Sequence, residues 1–151
     1  MNFHAKELRR GRVSQADAIY SITAVTYERQ TIFDDFGSAR LLIQTLRQSQ
    51  LEKQSETIGF VLMPDHLHWM VRLHHPIKLS RLMMIIKGRS ARQINLYRNN
   101  KEPIWQKGYY DHCLRDDEDL IKNMRYIVAN PLRAGLVSTL RHYPHWDSVF
   151  L

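Results

Sequence analysis

The alternation of hydrophobic and polar positions divides the chain into seven predicted elements. Residues 18–27 (AIYSITAVTY) are rich in β-branched and aromatic side chains and read as a strand. Asp34, Asp35, Gly37 and Ser38 break that pattern and can start a helix. Over residues 39–51 a helical stripe follows, carried by Leu41, Leu42, Thr45 and Leu46. Residues 57–63 (TIGFVLM) read as a second strand, Pro64-Asp65 as a turn, and residues 66–73 (HLHWMVRL) as a third strand in hairpin with the second. A second helix is predicted over 79–98. Its apolar positions are Leu82, Ile85, Ile86, Ile94 and Leu96, and its basic ones Arg81, Lys87, Arg89, Arg92 and Arg98. Gly88 weakens it locally and Asn99-Asn100 ends it. Residues 104–114 (IWQKGYYDHCL) read as a loop and a strand. Asp116, Asp117 and Glu118 place acidic residues at the favourable end of a third helix. That helix is expected to run to Asn130, since Pro131 disfavours helical geometry in the residue before it.

The order strand, helix, strand, strand, helix, strand is the ferredoxin-like, or RRM-like, α+β arrangement. It predicts an antiparallel sheet with its helices on one face, followed by one C-terminal helix. The other face of the sheet is then free to bind something.

Length and composition narrow the function classes. The 151 residues suit one domain over 1–151, with a basic N-terminal arm at 1–12 and a tail at 138–151 packed on the domain as irregular structure. The single cysteine, Cys113, excludes an internal disulfide and every multi-cysteine metal framework. No apolar run approaches the roughly 20 residues needed to span a bilayer, and the polar start is unlike a signal peptide. A cytoplasmic, nucleoid-associated protein that does not engage a membrane is expected. Lysine and arginine number 22 against 15 acidic residues, a formal net charge of +7 that favours an anionic partner. The deaminase pairing of His-x-Glu with Pro-Cys-x-x-Cys is absent, as is His-Glu-x-x-His.

Two places could carry chemistry. His66 and His68 lie two apart on the third strand, so they share a side with Met70 and Arg72 while Leu67, Trp69, Val71 and Leu73 take the other. They read either as a pair of metal ligands or as two histidines on a solvated strand face. Tyr126 and Asn130 are spaced i,i+4 on the third helix. They read either as a rim residue and a helix terminator, or as a phenol nucleophile one turn from an amide oxygen.

Met63-Pro64-Asp65-His66-Leu67-His68-Trp69 resembles the histidine–hydrophobe–histidine motif of the single-tyrosine HUH transposases. The run from Arg125-Tyr126 through Ala129-Asn130-Pro131-Leu132-Arg133-Ala134-Gly135-Leu136-Val137 resembles their tyrosine helix and the segment after it. The wording is most similar to the REP-associated tyrosine transposases. Trp105-Gln106-Lys107-Gly108-Tyr109-Tyr110-Asp111-His112 and Lys87-Gly88-Arg89-Ser90 also resemble that branch, so the likeness runs from about Arg12 to Trp146.

The resemblance implies that His66, His68 and Asn130 bind a divalent metal, Mg²⁺ or Mn²⁺, and that Tyr126 attacks a DNA phosphate to leave a 5′-phosphotyrosine link. The implied substrate is single-stranded or hairpin DNA of repetitive palindromes, and the implied activity is strand cleavage and rejoining by a monomer in preference to a homodimer. Candidates for the DNA path are Arg9, Arg10, Arg12, Arg72, Lys87, Arg89 and Arg92, with Tyr109 and Tyr110 placed to stack on bases. Asp65 and Asp111 are left open as neighbours of the metal. The alternative is a non-catalytic module of the same fold that binds hairpin DNA or RNA.

Overall fold

A computed structural model describes residues 18–148. Its strands are β1 (Ile19–Val25), β2 (Ser55–Met63), β3 (His66–Leu73), β4 (Tyr110–Cys113) and β5 (Trp146–Ser148). Its helices are α1 (Phe36–Leu51), α2 (Leu79–Arg98), α3 (Asp117–Val128) and the one-turn α4 (Asn130–Arg133). The strands form one antiparallel sheet in the order β4-β1-β3-β2-β5. The first four strands are in the predicted ferredoxin-like order.

The two helices flanking the hairpin cover one face of this sheet. Tyr20, Ile22 and Ala24 of β1, Phe60 and Leu62 of β2, and Leu67, Trp69 and Val71 of β3 are buried against Leu42 and Leu46 of α1 and Leu82, Met83 and Ile86 of α2. Alternation along each strand sends the next residues to the opposite face. There a second cluster buries Ile19, Val61, Met63 and Met70 against Leu120, Met124, Ile127 and Val128 of α3. The expectation of an open second face is therefore corrected. The apolar stripe of α3 needs a surface to bury, and Met63, Val61 and Met70 supply it. The cover is partial: Ser21, Thr23 and Val25 of β1 remain only part-buried.

Gly59 makes the α3 packing possible. The β2–β3 register shifts between Thr57 and Gly59, putting a bulge here, and a Cβ at Gly59 would collide with Met124 Sδ and the Asp147 carbonyl.

The tail departs from expectation in a second way. Trp146–Ser148 pair with β2 as a fifth strand instead of lying as irregular structure. Leu62 N–H donates to the His145 carbonyl at 2.8 Å, and the Tyr143 hydroxyl donates to the Leu62 carbonyl. Only three residues pair, too few for a sequence pattern to register.

Candidate strand-cleaving site

β3 presents His66 and His68 on the face that α3 half covers. Their Nε2 atoms converge to 3.1 Å. The outer nitrogens are both engaged: His66 Nδ1 lies 2.7 Å from Asp65 Oδ1, and His68 Nδ1 lies 3.0 Å from Thr23 Oγ1. One set of protons satisfies the whole chain. Thr23 donates to His68 Nδ1, His68 Nε2–H donates to His66 Nε2, and His66 Nδ1–H donates to the Asp65 carboxylate. Burial, the adjacent His66 and the Arg133 guanidinium push the His68 imidazole down to about 4, so it is neutral near pH 7. Burial works to raise the Asp65 carboxyl. The hydrogen bond and charge of His66 and the Arg29 guanidinium outweigh it and hold Asp65 below its ordinary value.

The pair fits a divalent cation. Adjacent ligands on an octahedral ion with bonds of about 2.1 Å stand about 3.0 Å apart, against the 3.1 Å seen here. For His68 to ligate, its proton must move from Nε2 to Nδ1, and the Thr23 hydroxyl can accept it because a hydroxyl both donates and accepts. Among the described residues no group of three histidine, cysteine, aspartate or glutamate side chains could hold a metal ion; the third ligand that the resemblance implies is the amide of Asn130.

Tyr126 and Asn130 do not share an unbroken helix. α3 stops at Val128, and α4 begins at Asn130. Pro131 has no N–H to continue the ladder, and it sits in the first turn of α4, where none is needed. What joins the two residues is Arg133. Its guanidinium stacks 4.0 Å from the centroid of the Tyr126 ring and donates to Asn130 Oδ1. The same guanidinium is close enough to His68 to depress its protonation. Tyr126 itself is exposed. Asp65 and Thr23 thus engage the two histidines, Arg133 bridges Tyr126 and Asn130, and sequence reasoning gave none of the three a firm role. Asp65, next to His66, could have been singled out by adjacency, whereas Thr23 could not, because it arrives from another strand.

The expected DNA-path residues separate. Arg9, Arg10 and Arg12 lie outside the described residues. α2 packs on the face opposite the histidines, so Lys87, Arg89 and Arg92 do not adjoin the pair across the sheet. Lys87 Nζ donates to the carbonyls of Gln106 and Gly108 at 2.7 and 2.5 Å, and so shapes a loop. Arg89 is paired with Glu52 at 2.6 Å. Arg72 shares the histidine face and lies 3.7 Å from Glu56. Tyr109 packs against the first core, and burial, with Asp111 adding to it, pushes its phenol up. Tyr110 is 74% exposed and pairs with Thr23 across β1–β4, so it shares the histidine face. Asp111 pairs with Ile22 instead, which puts it on the other face and removes it as a neighbour of the pair.

A family model described as "Transposase IS200 like" matches residues 14–130. The chain belongs to this family. A Haemophilus influenzae protein described as a REP-associated tyrosine transposase is 26% identical over 100 residues, covering 60% of this chain and 57% of that protein. A second protein of the same organism is 29% identical over 94 residues, covering 48% and 52%. The chain thus spans just over half the length of these two curated relatives. Among solved structures, a REP-associated tyrosine transposase bound to a REP hairpin superposes with a TM-score of 0.70 at 20% identity, covering 88% of this chain and 78% of that one. A transposase from Deinococcus radiodurans R1 superposes at 0.57 with 18% identity, covering 75% and 90%. At these identities the likeness is one of fold, shared by this chain and both structures.

Proposed function

We propose that this member of the IS200-like transposase family is a divalent-metal-dependent single-strand DNA endonuclease and strand transferase acting on hairpin-forming repetitive palindromes. The observation that carries the reading is the convergence of two imidazole Nε2 atoms at 3.1 Å, with both outer nitrogens engaged by Asp65 and Thr23. Support of the ring through its second nitrogen is how metal-ligating histidines are commonly oriented. His66, His68 and the Asn130 amide would hold Mg²⁺ or Mn²⁺. Bound there, the cation supplies polarisation of the scissile phosphate and relief of its developing charge.

The chain's own residues do the rest. Tyr126 Oη attacks phosphorus, the P–O3′ bond breaks, and the 3′-oxygen leaves with a proton while a 5′-phosphotyrosine forms. The link conserves the energy of the phosphodiester, so another 3′-hydroxyl can reverse the step and join strands. A free phenol ionises near 10, so charge stabilisation at the phosphate is needed. The exposure of Tyr126 leaves its ring open to a docked strand. The partner is hairpin DNA, the working form a monomer, and the setting the cytoplasm.

One observation favours a second reading, a non-catalytic module that binds hairpin DNA or RNA: Arg133 already occupies the Asn130 amide oxygen. A labelled single-stranded hairpin library incubated with Mg²⁺ or Mn²⁺ decides between the two. Cleavage should yield a protein–DNA adduct that survives denaturation, and Tyr126→Phe should abolish adduct and cleavage while retaining binding. Binding without cleavage across the library gives the second reading. Cleavage by Tyr126→Phe removes Tyr126 as nucleophile.

A further inference from the structure

The outer edge of β2 is paired over only part of its length. β5 covers Gly59, Phe60 and Val61, which lie opposite Ser148, Asp147 and Trp146. Among the described residues no strand pairs with the same edge from Ser55 to Ile58. An open edge presents backbone groups ready to pair with another segment, and proteins ordinarily close it. One such group has a side-chain acceptor in place of a strand carbonyl: Thr57 N–H donates to Gln50 Oε1 at 2.9 Å.

Beside this open stretch, between α1 and β2, runs a groove of about 260 Å³. It lies on the α1 side of the sheet, away from the histidine pair. Ile43, Leu46 and Phe60, all buried, give it an apolar wall, and the exposed Gln50 stands at its rim. Asp147 and Ser148 of β5 also line it. The volume falls below the roughly 300–1,000 Å³ of small-ligand sites and suits a few side chains instead.

Three apolar residues follow Ser148 in the chain: Val149, Phe150 and Leu151. They lie outside the described residues. β-branched and aromatic side chains of this kind favour a strand. β5 runs antiparallel to β2, so further residues of the same strand would advance along β2 from Gly59 toward Ser55. That is the stretch left open. Alternation decides which side chains would meet the groove. Asp147 lies opposite Phe60 and lines the groove, while Trp146 lies opposite Val61 and packs against the second core. Val149 and Leu151 would share the side of Asp147, and Phe150 that of Trp146. Two aliphatic side chains would then fall against Ile43 and Leu46. Val149 is bonded to a residue that lines the groove, so its effective concentration there is that of a very short tether, on the order of millimolar. A second molecule would have to outcompete it.

We propose that Val149, Phe150 and Leu151 continue β5 along the open edge of β2, with Val149 and Leu151 seated in the groove and Thr57 N–H passed from Gln50 to the added strand. The added strand would also brace α3. A Cβ at Gly59 would meet both Met124 Sδ and the Asp147 carbonyl, so β5 and α3 approach β2 at the same point. This docking needs neither DNA nor metal.

Methyl and amide NMR of the full chain tests it. NOEs are expected from the Val149 and Leu151 methyls to those of Ile43 and Leu46, with the Thr57 amide protected from exchange. Val149→Asp combined with Leu151→Asp should speed exchange of the Gly59 and Met124 amides about tenfold, since local opening is governed by buried apolar contact. Val149→Ile, which keeps an aliphatic side chain, should leave that exchange slow. Absence of the NOEs overturns the proposal, as does exchange at Gly59 and Met124 that the double substitution leaves unchanged. NOEs from Val149 or Leu151 of one molecule to Ile43 or Leu46 of another, in a mixture of differently labelled copies, would seat a second copy in the groove and overturn it too.

Discussion

Tyr20, Ile22 and Ala24 leave β1 on one side, and Ser21, Thr23 and Val25 leave it on the other. The first three are sealed beneath α1 and α2, in a core that runs without interruption from Phe33 to Ile104. The second three lie at the edge of what α3 covers, with Thr23 and Val25 beside a cavity and two histidines. One strand thus serves two environments. On the sealed face the Trp69 indole is satisfied locally, its Nε1–H donating to Thr57 Oγ1 at 3.0 Å. The other face keeps polar groups near the solvent boundary and engages them with one another. The difference teaches where stability and chemistry are separable: loss of sealed-face packing should unfold the chain, whereas changes around the histidines should alter its behaviour within an intact fold.

The largest expected effect is on the sealed face. Trp69 is fully buried, and Trp69→Ala should cost about 3–5 kcal/mol, read as a lowered denaturant midpoint. A loss below 1 kcal/mol, on the order of a surface change, would break the contrast between the faces.

On the other face, the metal-free protein should lose stability with acid through His68. Its protonation midpoint is pushed down to about 4 in the folded chain, against an ordinary value near 6.5. The unfolded chain therefore binds the proton first. The stabilisation is complete above about pH 6.5 and is lost as pH falls toward 4, amounting to roughly 3 kcal/mol. Urea midpoints across that window should fall in the wild type and be flatter in His68→Asn. Equal slopes would show that His68 is not the group responsible.

Gly59→Ala sharpens the comparison at the contact between sheet and α3. The added Cβ meets Met124 and the Asp147 carbonyl, and overpacking of this kind costs about 1–3 kcal/mol. Because α3 carries Tyr126, hairpin cleavage should fall further than stability alone accounts for. Cleavage unchanged at full folding would mean that α3 docking does not position the tyrosine.

The smallest effect is expected at Arg133. Replacing it with methionine, which has no N–H to donate, frees the Asn130 amide oxygen and removes a positive charge near His68, so Mn²⁺ should bind a few-fold more tightly, as removing roughly 1 kcal/mol of repulsion would allow. Calorimetric titration with Mn²⁺ reads this directly, and weaker binding in Arg133→Met would contradict it.

Much of this was legible in the chain. β3 and α2 have the bounds that the pattern predicts, His66–Leu73 and Leu79–Arg98, because strict alternation and a long apolar stripe are each readable without partners. The shared side of His66 and His68 follows from the period of a strand. Their convergence does not, since it depends on Asp65 and Thr23 holding each ring from behind. Pro131 predicts a helix running to Asn130, whereas the helix stops at Val128 and Pro131 sits in the first turn of α4; the bridging of Tyr126 and Asn130 by Arg133 is a matter of how α4 turns.

The sequence by itself determined the succession of the main strands and helices along the chain, which side chains of a strand share a face, and the residue types at the candidate site, because these follow from periodicity and from the chemistry of single side chains. Tertiary structure alone decided that α3 covers half of the second face, that Thr23 meets His68 across 45 positions of sequence, and that Arg29, Lys107 and Tyr110 line one cavity. Those outcomes depend on close packing between segments distant in the chain, which no local pattern encodes.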